Sequence, residues 1–289
     1  MGVDMSTQEE DNWNIEIRPH SGLFDLRLGE LWKSRDILKN FVKRDFVAVY
    51  KQTVLGPLWF FIQPILTTLM FTFVFGTVAK LPTDGVPPIL FYLSGIVAWN
   101  YFASCITQTS NVFIQNAQIF GKVYFYRLTI PISVIVSALI KFGIQFLLFL
   151  AIWAYYLFFS EYDLQPTWGL VIVPYLIFIM ALLGLGFGLI ISSMTTKYRD
   201  LAFLIQFGVQ LAMYATPVIY PLSMMKGKAL TLILANPMTS IIESFKFAFL
   251  GSGSLVPEHL LYSTCFTLGT LFVGMLMFNR VEKSFVDTV

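Results

Sequence analysis

The sequence predicts an all-α polytopic membrane protein. It has six transmembrane helices, an N-terminal amphipathic interface helix, and re-entrant helices on the outer side between spans five and six. Three observations carry this class. Of 289 residues, 56% are hydrophobic and only 12% are charged, about half the ~25% charge of a soluble domain. Mean hydropathy is +0.71, and the long apolar runs are almost free of charge, so no soluble fold could bury them. Lysine and arginine are unevenly shared between alternate loops, as the positive-inside rule requires. The same composition excludes a disordered chain and a small disulfide-stapled domain. A net charge of only +2 excludes a nucleic-acid binder.

Residues 1–30 read as a flexible cytosolic arm. The first twelve are polar and acidic, with Asp4, Glu9, Glu10 and Asp11, and they lack the basic start and apolar core of a signal peptide. Residues 31–55 hold the interface helix. Ile37, Leu38, Phe41, Val42, Phe46, Val49 and Tyr50 recur at i, i+1, i+4, i+5. Lys39, Asn40, Lys43, Arg44, Lys51 and Gln52 fill the other face. A basic amphipathic helix placed just before a span is expected to lie on the membrane surface.

Residues 56–280 form the six-span domain, each span needing ~20 mostly apolar residues. The runs are 56–79, 85–107, 129–159, 166–195, 201–222 and 260–278. With the N-terminus inside, fourteen of the nineteen Lys and Arg fall on the cytosolic side and four outside. Both termini are therefore expected in the cytosol, with 281–289 a short tail. Residues 224–258 contain an uncharged run, 229–242, interrupted by Asn236-Pro237. It is too short to cross and too apolar for a plain loop. Re-entrant or interfacial helices are expected, either lining a gate or capping the bundle.

Catalytic constellations are missing. Nine of seventeen carboxylates lie in the first 55 residues. Asp84, Glu161, Asp163, Asp200, Glu243 and Glu258 are scattered over different loops, with no paired-carboxylate or HExxH motif. There is no GxxxxGK[ST] phosphate loop. Cys105 and Cys265 sit in apolar stretches and read as small core residues. His20 and His259 are isolated, which argues against a metal centre. Gly184, Gly186 and Gly188 lie inside an apolar run; Gly184 and Gly188 are one helical turn apart and fit close helix packing.

Lys141 lies twelve residues into the third run, ~18 Å deep at ~1.5 Å per residue. Ser133, Ser137, Lys141 and Gln145 recur every four residues and form one polar stripe. It either lines a polar path or subunit contact, or belongs to a buried structural pair. Aromatics are abundant, among them Trp59, Phe60, Trp99, Tyr101, Tyr214 and Tyr220. Such rings stack on sugar faces; they also form interfacial belts and lipid-facing filler. In the loop 111–130, apolar Val112, Phe113, Ile119, Phe120 and Val123 alternate with Asn116, Gln118 and Lys122. A plain connector is shorter, so this loop reads as a docking element.

Arg44-Asp45, then YKQTVLGPLW over residues 50–59, then Gln63-Pro64 resemble the approach to the first span in ABC-2 type permeases of polysaccharide exporters. Tyr198-Arg199-Asp200 and the region from Pro217 to Asn236-Pro237 are also similar to that family. The resemblance covers about residues 30–283. It implies a transport subunit rather than an enzyme: a homodimer in the bacterial inner membrane, working with two separate ATPase subunits on the cytosolic side. No cofactor is then held by this chain; ATP and Mg belong to the ATPases. The substrate would be a lipid-linked polysaccharide such as O-antigen, met among membrane lipids and not nucleic acid. By the same resemblance, Lys43, Arg44, Asn116, Ile119, Phe120 and Lys122 contact the ATPases. Trp59, Phe60, Tyr214 and Tyr220 line a sugar channel, and Pro217, Asn236 and Pro237 belong to an outer gate. One departure stands out: the family often has Phe-Pro-Arg before span three, whereas this chain has Phe125-Tyr126-Arg127. Two other readings are an ABC-2 exporter of a lipid or small amphiphile, and an integral membrane transferase.

Overall fold

The computed structural model describes residues 29, 32, 34–51, 55–116, 119, 126–162, 164–198 and 200–286. Every regular element among them is helical. Helix α1, Arg35–Lys51, carries Asp36 in its first turn and Lys51 in its last, matching charge to the helix dipole. Its buried apolar anchor is Phe41, and it packs along the third-run helix.

The first span begins with a 3₁₀ turn, Gly56–Leu58, and continues as α2, Trp59–Phe71. It ends in a π-helical stretch, Thr72–Val78. There the Ala79 N–H reaches the Val74 carbonyl at 2.9 Å, a widened turn of the kind often found at functional sites. Helix α3, Pro88–Thr109, starts on a proline at its first helical position, where the missing N–H costs nothing. It is the centre of the molecule: Leu90 through Trp99 are buried without interruption. A short α4, Val112–Gln115, leads to α5, Thr129–Phe159. At 31 residues α5 is about 46 Å long, more than the ~30 Å hydrocarbon core. A 3₁₀ turn, Trp168–Ile172, capped by the Thr167 hydroxyl, opens α6, Val173–Thr195. Then come α7, Leu201–Tyr214, α8, Lys228–Leu234, α9, Pro237–Leu250, and α10, Pro257–Val286.

Helix α6 is pinned between α3 and α10 by glycines. A Cβ at Gly184 would collide with Cys105, and one at Gly188 would lie 2.5 Å from Thr109 Cβ, both on α3. On the opposite face a Cβ at Gly186 would sit 2.8 Å from the Leu271 backbone nitrogen of α10. The glycine run is helix packing on two faces at once. An aromatic cluster joins α5 to α9: Phe149 meets Phe249 edge-on at 5.1 Å, and Phe245 at 5.9 Å. The Trp153 indole N–H donates to the Phe249 carbonyl at 2.7 Å.

Among the described residues, five helical segments are long and apolar enough to cross a membrane: Gly56–Val78, Pro88–Thr109, Thr129–Phe159, Trp168–Thr195 and Pro257–Val281. The fifth run, 201–222, departs from its expected length. Its helix stops at Tyr214 after 14 residues, about 21 Å. Pro217 has no N–H to donate and disfavours helix at Thr216. The Thr216 hydroxyl instead donates back to the Ala212 carbonyl at 2.7 Å. Residues 215–220 continue without regular helix, yet Thr216, Val218 and Ile219 are buried. Hydropathy counted this run as apolar; it could not register that the helix breaks inside it.

Candidate functional site

Three constellations stand out, and the first joins α1 to the loop after α3. Arg44 Nη1 donates to Asn116 Oδ1 at 3.2 Å. Asn116 is buried, and its Nδ2 donates to the Val112 carbonyl at 3.0 Å. The Arg44 guanidinium also pairs with Asp45 at 2.8 Å and lies 4.7 Å over the Phe41 ring. Phe41 in turn packs into a small core with Val112, Phe113, Leu128, Ile130 and Phe278. Phe113 stacks on Phe278 at 4.6 Å. One hydrogen bond and one aromatic core thus tie α1 and the loop to the start of α5 and the late turns of α10. Ile119 packs against this same core, and Lys43 is exposed. Phe120 and Lys122 lie outside the described residues.

The second constellation is a polar cavity of about 200 Å³ between α2, α3 and α5. Gln63, Asn100, Tyr101, Ser104, Gln108, Lys141 and Gln145 supply its polar groups. Lys141 makes no hydrogen bond or ion pair among the described residues. Asp45 of α1 acts on it through space, but that carboxylate is engaged by Arg44. The predicted stripe is therefore split. Lys141 and Gln145 open into the cavity, whereas Ser133 is buried and satisfied by the Ile130 carbonyl at 2.8 Å. Ser137 is buried, and its hydroxyl has no partner among the described residues. Sequence reading missed the facing half of the site. Asn100, Ser104 and Gln108 recur every four residues on α3, the same spacing that marked the α5 stripe, and that signal was available.

The third constellation surrounds the break after α7. Asn236 caps α9 by accepting from the Met238 N–H at 3.0 Å, and its Nδ2 donates to the Thr216 hydroxyl at 3.0 Å. The Pro237 carbonyl accepts from Ser263 at 2.8 Å. Lys246, 1% exposed, donates to the Pro217 carbonyl at 2.6 Å and sits 3.5 Å from the centre of the Phe91 ring. Glu243, also buried on α9, lies close to the Ser254 backbone and acts on Lys246 through space. Burial pushes the Glu243 carboxyl up and the Lys246 ammonium down, while each charge pulls the other partly back. Asn236 and Pro237 share an apolar groove with Trp99, Phe102 and Phe187, mid-helix residues of α3 and α6. The far end of α9 lies level with the start of the fourth span, where Thr167 donates to the Phe247 carbonyl at 3.0 Å. Neither Glu243 nor Lys246 stood out in sequence, because α9 reads as a loop-side helix until its burial is known.

The four aromatics do not gather into one cluster, and no ring contact among the described residues joins any two of them. Trp59 and Tyr214 are exposed at 46% and 53%. Phe60 lines the polar cavity, and Tyr220 packs against the main core.

Comparison with known proteins matches residues 38–250 to the family described as ABC-2 type transporter. The chain is 30% identical over 258 residues to "O-antigen export system permease protein RfbA" of Klebsiella pneumoniae, covering 87% of this chain and 94% of that one. It is 27% identical over 262 residues to the protein of the same name from Myxococcus xanthus, covering 90% and 98%. It is 22% identical over 242 residues to "Polysialic acid transport protein KpsM" of Escherichia coli, covering 81% and 89%. With more than half of its length matched, including most of α1, the polar cavity and the whole of α9, the chain belongs to the ABC-2 transporter membrane family.

Proposed function

We propose that this chain is the permease subunit of an ATP-driven exporter that carries a lipid-linked polysaccharide across the bacterial inner membrane. The observation that carries this reading is the nearly end-to-end similarity to proteins named as O-antigen export permeases. Two copies work with two ATPase subunits, which hold the ATP and Mg; the sequence without a phosphate loop fits that division. Helix α1 and the loop 111–130 form the docking element. The Arg44–Asn116 bond supports treating them as one lever, and the Phe41 core carries its motion into α5 and α10.

In this reading α7 and residues 215–222 together make a sixth crossing, and both termini lie in the cytosol. Helices α8 and α9 dip in from the outer side as a re-entrant pair. The mid-helix level of the Asn236-Pro237 tip and its satisfied backbone support this, since irregular backbone survives at depth only inside protein or beside water. Exposed Trp59 and Tyr214 offer rings on which sugar faces slide between the two copies.

The test is to fractionate cells lacking this gene and compare surface with cytosolic lipid-linked glycan. Surface loss with internal accumulation, restored by the intact gene, is the expected result. Normal surface glycan, or loss on both sides, overturns the export reading.

A further inference from the structure

We propose that the polar cavity between α2, α3 and α5 is a binding site for a phosphate ester, the head group of an anionic lipid held beside Lys141. The identity of that lipid as the export substrate rests on the reading above; the phosphate chemistry does not.

The cavity has the composition of an anion site inside an apolar bundle. Lys141 is its one cation, and no carboxylate lines it among the described residues. Around the ammonium stand neutral groups that donate to oxygen: Asn100, Gln108 and Gln145 amides, and the Ser104 hydroxyl. Tyr101 is 2% exposed and lines the cavity, with its hydroxyl beside the Cys105 thiol of the next helical turn. A thiol is only a weak hydrogen-bond partner, so this hydroxyl gains by turning to a ligand oxygen. The nearest influence of opposite sign, Asp45, is held by Arg44 at 2.8 Å, so the lysine charge is left for a guest. A lone cation at membrane depth is expensive unless something compensates it.

Position points to a lipid head group. Gln108 lies one residue from the end of α3, at Thr109, and Gln63 lies seven residues into the first span, which begins at Gly56. The cavity therefore starts near the end of the bundle that carries α1 and reaches inward to Lys141. Gln63 is exposed, so the site opens sideways past α2, whose Leu66, Met70 and Phe73 present apolar surface for a chain. At about 200 Å³ the space holds a phosphoryl or diphosphoryl group with a little water, at ~30 Å³ per water. It does not hold a sugar chain.

The experiment uses the full-length protein in nanodiscs of phosphatidylcholine and measures binding of dodecyl phosphate, with dodecanol as the neutral control. Dodecyl phosphate should bind, and dodecanol should not compete. Lys141→Met should weaken binding at least tenfold, the scale of one charge-assisted hydrogen bond. Lys141→Arg should stay within threefold of the parent. Asn100→Leu tests the opposite wall without touching the charge and should weaken binding several-fold, so the site stays testable if Lys141→Met does not fold. Inorganic diphosphate distinguishes the sources. Competition at millimolar concentration means that the head group alone suffices; no competition means that the lipid chain is required. Equal binding of dodecanol, or undiminished binding by folded Lys141→Met, overturns the site. Intact phosphate binding in a protein whose deletion leaves surface glycan unchanged would keep the site and remove the export reading.

Discussion

Replacing Lys246 with methionine tests whether α9 is clamped onto the broken chain after α7. The ammonium is 1% exposed, bonds the Pro217 carbonyl at 2.6 Å, and lies against Phe91. Methionine keeps most of the volume, so packing loss is small. The Pro217 carbonyl then loses its donor, worth about 1–3 kcal/mol. Glu243 loses the positive charge that acts on it through space, which adds to the cost although no ion pair joins the two among the described residues. These contributions overlap, and Glu243 relieves part of its share by taking up a proton. The expected net loss is therefore about 3 kcal/mol. Glu243→Gln alone should cost less, about 1–2 kcal/mol, because Lys246 keeps Pro217 and Phe91. The double variant should cost less than the sum of the singles, with a coupling of ~1–3 kcal/mol. Unfolding is followed by tryptophan fluorescence during titration with dodecyl sulfate in mixed micelles. In parallel, a cysteine at Ser223, in a background with Cys265→Ser, reports opening of the outer segment by its labelling rate. A loss of 3 kcal/mol corresponds to roughly a hundredfold faster labelling where opening limits the reaction. A Lys246→Met protein within 1 kcal/mol of the parent with unchanged labelling would refute the clamp, as would simple additivity of the two substitutions.

Arg44→Ala and Asn116→Ala should each leave ATP hydrolysis by the assembled exporter running while export drops several-fold, and the double variant should be no worse than either single. Additive losses would show that the two residues act separately. Lys122→Glu should likewise uncouple hydrolysis from export; unchanged export counts against docking by that loop. Gly186→Leu should destabilise by at least about 1–3 kcal/mol through overpacking, because the Leu271 backbone blocks its Cβ at 2.8 Å. Gly143→Ala is the control: nothing lies within 4 Å, and a helical alanine should stabilise by about 0.5–1 kcal/mol. Both are read from the same unfolding titration. Trp59→Ala and Tyr214→Ala should slow export of long glycans while leaving assembly intact, measured by surface glycan length; unchanged length distributions would remove the stacking role.

The apolar runs, the helix before the first span and the packing role of Gly184 and Gly188 were legible in the sequence because each rests on short-range periodicity. Lys141 was legible because a charge inside a 31-residue apolar helix is costly wherever the helix sits. Its surroundings were not. Asn100, Ser104 and Gln108 carry the same four-residue spacing, yet nothing along the chain says that two polar stripes face each other across one cavity. Residues 201–222 show the complementary limit. Their hydropathy is that of a span, while the helix ends at Tyr214 because Pro217 interrupts it.

Composition and periodicity therefore determined that this chain lives in a membrane and where its helices run, since burial in lipid demands apolar length and internally satisfied backbone. Tertiary structure alone decided three matters: that α3 is the buried hub, that Lys246 reaches across to the Pro217 carbonyl, and that Lys141 shares a cavity with neutral polar side chains. Each depends on contacts between segments far apart in the chain. Such contacts are set by the mutual packing of helices, and no local pattern encodes them.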